Sequence, residues 1–176
     1  TFQVNLEAPL LWCRAAWEQS FKERPGTIIN IASVGGLRTD GGGLGIYNLT
    51  KAALIHMTRQ LASELGPTRV VGIAPGLVVT DFAQVLVDNF GDQLAARMPL
   101  QRLGDPQDIA NLAAFLAGDL ASWTTGEPII TPQLGNIQPA FAQRKNGDIV
   151  AFMRDSGDAP ARVHKSISKD ICPTLF

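Results

Sequence analysis

Thr27-Ile28-Ile29-Asn30-Ile31-Ala32-Ser33 is the stretch that decides the fold. It is apolar nearly throughout, follows the helix-breaking pair Pro25-Gly26 and ends on a serine ahead of a glycine-rich segment. A short strand with no apolar/polar alternation expects cover on both faces, as in a parallel sheet flanked by helices. A second such run, Arg69-Val70-Val71-Gly72-Ile73-Ala74, closes on Pro75-Gly76. Between them lies a helical stretch from about Gly45 to Leu65, stopped by Gly66-Pro67. Strand, helix, strand at this spacing predicts a parallel unit of α/β class.

Working outward, Leu6, Leu10, Cys13, Trp17 and Phe21 recur at helical spacing, which predicts a helix over Val4 to Phe21. The run from Gly35-Gly36 to Gly41-Gly42-Gly43 reads as a flexible loop. A looser helical stretch covers Asp81 to Arg97. Asp105-Pro106 starts another helix, because Asp is a favoured N-cap and Pro suits the first turn. Ile109, Leu112, Ala113 and Leu116 form its apolar stripe, and Gly126 to Ile130 is a candidate third strand. After Thr131-Pro132 the pattern changes. Asn136 to Gln143 alternates, Asn146-Gly147 is a hairpin signal, Asp148 to Arg154 is a strand, and Arg162 to Ser168 reads as another. The expectation is a partial Rossmann-like parallel sheet with flanking helices over residues 1–131, then a short antiparallel β tail over 132–176.

Of the 176 residues 45% are hydrophobic and 18% charged, enough apolar residue for a core. A net charge of -1 favours neither nucleic acid nor an anionic membrane as partner. No apolar run is long enough to span a bilayer. Cys13 and Cys172 match no metal or redox spacing and read as two reduced thiols of a cytoplasmic protein.

The chemistry centres on Tyr47 and Lys51, four residues apart and so on one helix face. An ammonium beside a phenol favours the phenolate, lowering a pKa whose free value is about 10, and suits the phenol to acid/base work near neutrality. Taken alone, a Tyr and a Lys at this spacing are ordinary helix-surface residues. Ser33 at the end of the first strand, and Thr80 and Asp81 beyond the second, change that. In open parallel sheets ligands bind outside the carboxyl ends of the strands, where Ser33 and Thr80 converge and the helix bearing Tyr47 begins.

At these residues the chain resembles the short-chain dehydrogenase/reductase family. The resemblance is carried by Asn30 to Gly36, by Tyr47-Asn48-Leu49-Thr50-Lys51-Ala52-Ala53, by Ile73 to Asp81, by Arg102 to Ala110 and by Thr125-Gly126-Glu127. It implies an oxidoreductase moving a hydride between NAD or NADP and a carbonyl/alcohol substrate. Tyr47 would exchange the proton, Lys51 would lower the Tyr47 pKa and hold the nicotinamide ribose, and Ser33 would orient the substrate oxygen. Asn5 would position a relay water behind the lysine, while Pro75, Gly76 and Thr80 would lie against the nicotinamide. Phe82, Val85, Leu86, Val87 and Phe90 fall in the substrate lid such a protein would have. The family's glycine-rich pyrophosphate turn is missing, as is the residue that chooses between NAD and NADP, and Gly41-Gly42-Gly43 follows the serine strand instead of preceding it. Without the family's further strands, Thr27 to Ala32 would be an open edge. Little or no turnover by this chain alone follows, together with marginal folding or self-association as a homo-oligomer, helices 4–21 and 45–65 being the interface the resemblance implies.

The tail, through Asn136-Ile137-Gln138-Pro139-Ala140-Phe141 and Asn146 to Asp155, resembles one blade of a sialidase-type β-propeller. One blade cannot form a glycan site, since blades need neighbours, and Arg154, Asp155 and His164 read as strand-surface residues. Two other readings stand beside the oxidoreductase: a non-catalytic fragment or interaction module, and, more remotely, a glycan-active propeller piece.

Overall fold

The computed structural model describes residues 1–39, 43–131, 140–143, 149–154 and 163–168. The chain divides into two units, Thr1–Leu134 and Gly135–Phe176. The first is built on β1 (Thr27–Ile31), β2 (Arg69–Ala74) and β3 (Pro128–Ile130), all parallel, with β2 in the middle. Ile29 pairs with Val71, Ile31 with Ile73, and Ile73 in turn with Ile129.

Side chains alternate across a strand, so an apolar run must be covered twice. Val71 and Ile73 face one way and pack with Leu116 and Ala121, joined by Ile29, Ile109, Leu112 and Ala113. That face is covered by α4 (Pro106–Ala117), whose apolar stripe is the one expected. Val70 and Ala74 face the other way, Val70 against Cys13 and Leu61, Ala74 against Ala32 and Ile55. The cover there comes from α1 (Ala8–Ala16) and α2 (Gly45–Glu64). The parallel α/β sheet with helices on both faces is therefore the architecture of this unit.

The N-terminal helix departs from the regular form expected over Val4 to Phe21. A π-helical turn, Gln3–Glu7, precedes α1, and a second, Trp17–Phe21, follows it. Pro9 gives a reason for the first. It has no N–H to donate, and in a regular helix its ring would meet the Asn5 carbonyl. A widened turn, in which the Ala8 N–H reaches Gln3 O, accommodates it. The third strand is also shorter than expected, because Gly126 adopts φ +85, a left-handed conformation that suits glycine and not a strand. Its N–H still donates to Val70 O at 2.8 Å, aiming the chain into β3.

Past β2 the chain forms a 3₁₀ turn, Asp81–Ala83, and then α3 (Gln84–Arg97). Asp105 caps α4 by accepting from the Gln107 N–H at 2.8 Å, while Asp108 accepts from the Asp105 N–H at 2.8 Å. The second unit is an antiparallel meander of β4 (Ala140–Gln143), β5 (Ile149–Arg154) and β6 (Val163–Ser168). Strands were expected in these three places; the Asn146-Gly147 turn, the Ser156–Pro160 loop, Asp155 and Cys172 lie outside the described residues.

Candidate active site

Lys51 anchors the site. It lies on α2 with its Nζ donating to the carbonyl of Ile31, the last residue of β1, at 2.8 Å. The same ammonium stands 5.7 Å from the centroid of the Tyr47 ring, one helical turn earlier. Burial pushes the Lys51 pKa below the usual lysine value, because desolvation penalises the charged form. Ser33 follows two residues after Ile31. The strand pairing continues beyond the strands themselves: the Ala32 N–H donates to Ile73 O at 2.7 Å and the Val34 N–H to Pro75 O at 3.0 Å. Ser33 is thereby held beside Ala74-Pro75, and Ser33, Tyr47 and Lys51 gather at the carboxyl end of β1.

The glycines after Ser33 correct one expectation. Val34–Gly36 is a 3₁₀ turn packed on α2, whereas Gly35-Gly36 was expected to open a flexible loop. Ser33 caps the turn by accepting from the Gly35 N–H at 3.1 Å. A Cβ on Gly36 would lie 2.6 to 2.8 Å from the backbone of Lys51 and Ala52, and one on Gly35 would overlap the Asn48 amide oxygen. Close approach is what these glycines supply. Gly41 and Gly42 lie outside the described residues.

Asn5 reaches the site through an intermediary that sequence reasoning missed. Its Nδ2 donates to Thr50 Oγ1 at 3.0 Å, and that hydroxyl donates to the Tyr47 carbonyl at 2.7 Å. A parallel relay lies deeper: Asn30 Nδ2 donates to Thr58 Oγ1 at 3.0 Å, which donates to Leu54 O at 2.9 Å, while the Cys13 thiol contacts Asn30 Oδ1 at 3.7 Å. Burial raises the pKa of the Cys13 thiol. Thr50 and Thr58 are fully buried. A threonine in a helix commonly back-bonds to the preceding turn, so the pair Thr50 and Thr58, facing the same way as Tyr47 and Lys51, was the available signal.

Pro75, Gly76 and Thr80 follow β2. The Gly76 N–H donates to Thr131 Oγ1 at 3.2 Å. Thr80 caps the 3₁₀ turn by accepting from the Ala83 N–H at 3.3 Å. This loop is pinned to the segment before α4 by Val79 N–H to Gly104 O at 2.9 Å and Gly104 N–H to Leu77 O at 3.0 Å. Behind it a cavity of about 170 Å³ is lined by Gly76, Leu77, Val78, Leu103, Gly104 and Thr131, among others. The capped turn carries Phe82 to the site, its ring centroid 6.4 Å from that of Tyr47. Among the described residues no cluster of His, Cys, Asp or Glu could hold a metal ion, and no helix is long and apolar enough to cross a membrane.

Residues 1–131 match the family model described as Enoyl-(Acyl carrier protein) reductase. The chain belongs to the short-chain dehydrogenase/reductase family. Among curated short-chain dehydrogenase/reductases it is 39% identical over 129 residues to the 3-oxoacyl-[acyl-carrier-protein] reductase FabG of Aquifex aeolicus, covering 72% of this chain and 52% of that protein. It is 37% identical over 131 residues to dehydrogenase/reductase SDR family member 4 of Sus scrofa, covering 72% of this chain and 47% of the relative. Among solved structures, 7 alpha-hydroxysteroid dehydrogenase complexed with NADH and 7-oxo glycochenodeoxycholic acid superposes with a TM-score of 0.69 at 32% identity, over 74% of this chain and 52% of that one. The chain spans about half the length of the curated relatives it matches. The matched region of this short-chain dehydrogenase/reductase ends where the first unit ends its described residues, at Thr131.

Proposed function

We propose that this chain supplies the proton-transfer and nicotinamide-facing part of an NAD(P)-dependent oxidoreductase acting on a carbonyl/alcohol substrate. The observation that carries the reading is Lys51, fixed to the β1 carbonyl and facing the Tyr47 ring, with Ser33 two residues beyond that carbonyl in the chain. The donor set fits the ribose and amide end of the cofactor. Lys51 spends one of its three N–H donors on Ile31 O, which leaves two for ribose hydroxyls. Pro75, Gly76 and Thr80 form the neighbouring wall. The pyrophosphate end has no counterpart among residues 1–131, so binding by this chain alone should be weak.

When bound, the nicotinamide supplies or accepts the hydride at the substrate carbon. In the reducing direction the Tyr47 hydroxyl gives its proton to the carbonyl oxygen as negative charge develops there, while the Ser33 hydroxyl donates a hydrogen bond to the same oxygen. The Lys51 ammonium favours the resulting phenolate electrostatically. Asn5 and Thr50 hold the Tyr47 turn in place. No preference between NAD and NADP is readable from the described residues.

A second reading, a non-catalytic interaction module, is favoured by one observation: Leu11, Trp12, Ile46 and Leu49 are left exposed on α1 and α2. These helices also suit a homo-oligomer contact. Fluorescence titration with NADH and with NADPH separates the two readings. Saturable binding that weakens in a Tyr47→Phe/Lys51→Ala variant is the expected result. Binding of neither nucleotide would sink the oxidoreductase reading for the isolated chain and favour the interaction module.

A further inference from the structure

Asn48 Oδ1 is the one buried side-chain polar atom without a hydrogen-bond partner among the described residues. Burying an acceptor without a donor costs stability, so the group calls for a reason other than packing. Its place supplies one. Asn48 follows Tyr47 on α2 and reaches the 3₁₀ turn that Ser33 caps. A Cβ on Gly35 would overlap Asn48 Oδ1 and lie 3.5 Å from Ser33 Oγ. The amide therefore fills the notch left by the missing side chain, alongside the serine hydroxyl. The Gly35 N–H donates to Ser33 Oγ at 3.1 Å. That bond takes up an oxygen lone pair and leaves the hydroxyl proton for a ligand. Where the Gly35 peptide sits thus decides where the Ser33 proton can point, and the Asn48 amide is what bears on Gly35 from the helix.

Resting on the oxidoreductase reading, we propose that Asn48 is a positioning residue for Ser33. Its amide, set in the Gly35 notch, keeps the Gly35 N–H on Ser33 Oγ and so fixes the serine hydroxyl relative to Tyr47, the neighbour of Asn48 in the chain. The test is NMR of the isotope-labelled full chain, with no turnover needed. It reads the Ser33 Hα–Hβ couplings, which report one side-chain rotamer or an average, and the hydrogen exchange of the Gly35 amide. In Asn48→Ala the couplings become averaged. The Gly35 amide exchanges about 10-fold faster, the scale of one ordinary hydrogen bond. The melting temperature stays the same or rises, because a buried acceptor without a donor has been removed. Gly35→Ala drives the amide out of its notch and gives the same two signals without touching Asn48. The effects of the two changes do not add in the Gly35→Ala/Asn48→Ala double variant, since both break one contact. Unchanged Ser33 couplings and Gly35 exchange in Asn48→Ala overturn the proposal. A lower melting temperature with both signals unchanged does so too, and marks Asn48 as packing alone; so do single effects that add in the double variant. Failure of NADH and NADPH to bind would sink the oxidoreductase reading and leave the Ser33 result standing.

Discussion

The two faces of the β1-β2-β3 sheet are covered by helices of different character. On the α4 face, Leu116, Ile73 and Val71 pack together, none of the buried polar side chains Asn30, Thr50, Thr58 and Thr68 belongs to α4, and its one charged residue, Asp108, sits in the first turn, paired with Arg102 at 2.6 Å. On the α2 face, apolar packing is interrupted by Asn30, Thr50 and Thr58, buried and hydrogen-bonded. Burying polar groups gains little net stability and is costly if a partner is removed. Their concentration on one face shows where the fold trades core for placement: the same helix that carries Thr50 and Thr58 carries Tyr47 and Lys51. One face holds the sheet together, and the other holds side chains at set positions.

The contrast breaks first at Leu116. Leu116→Ala empties a fully enclosed site on the α4 face and should cost about 2–5 kcal/mol in urea unfolding. A smaller cost is expected on the other face from Thr50→Val, which keeps volume but removes the hydroxyl between Asn5 and Tyr47, about 1–2 kcal/mol in the same assay. Costs in the reverse order would mean that the α2 face also carries the stability.

A third difference is read by pH, with the smallest effect. The Arg102 hydrogen bond and the Asp105 N–H hold the Asp108 carboxyl down to about 2 from its ordinary 3.8. A depressed acid favours the folded state above the unfolded value, so this contribution is complete above 3.8 and lost as pH falls towards about 2. Asp108→Asn should flatten that acid limb of the stability profile. Lys51 acts at the other end. Its pKa is lowered from 10.5 by burial, so the unfolded chain holds the proton more tightly and stability rises with pH between the folded value and 10.5. Lys51→Met should remove that alkaline rise. Equal acid and alkaline limbs in both variants would erase the distinction between the faces.

Much of this was legible in the sequence. Thr27–Ile31 and Arg69–Ala74 could be read because doubly covered strands are apolar on both sides, and α4 because its cap and stripe agree. That Tyr47 and Lys51 meet on one helix face was legible from their spacing, whereas the roles proposed for them and for Ser33 came from the resemblance. The π-helical turns were not, because hydrophobic period hardly changes when one turn widens around Pro9. Gly35-Gly36 looked like flexibility because composition does not distinguish a loose glycine from one pressed against a helix. Thr50 was passed over because a helical threonine is more often exposed, and the approach of Phe82 to Tyr47 was not legible because it joins residues far apart in the chain.

The seating of the glycine turn sets a limit on how this site can diverge. With the turn at Gly36 resting on the backbone of Lys51 and Ala52, turn and helix approach to the distance between two bare main chains. A methyl group at Gly36 would force the turn off the helix backbone, whereas one at Gly35 would drive into the Asn48 side chain. Sequence drift can therefore rewrite the apolar lid one residue at a time, whereas the spacing beneath it admits no intermediate step.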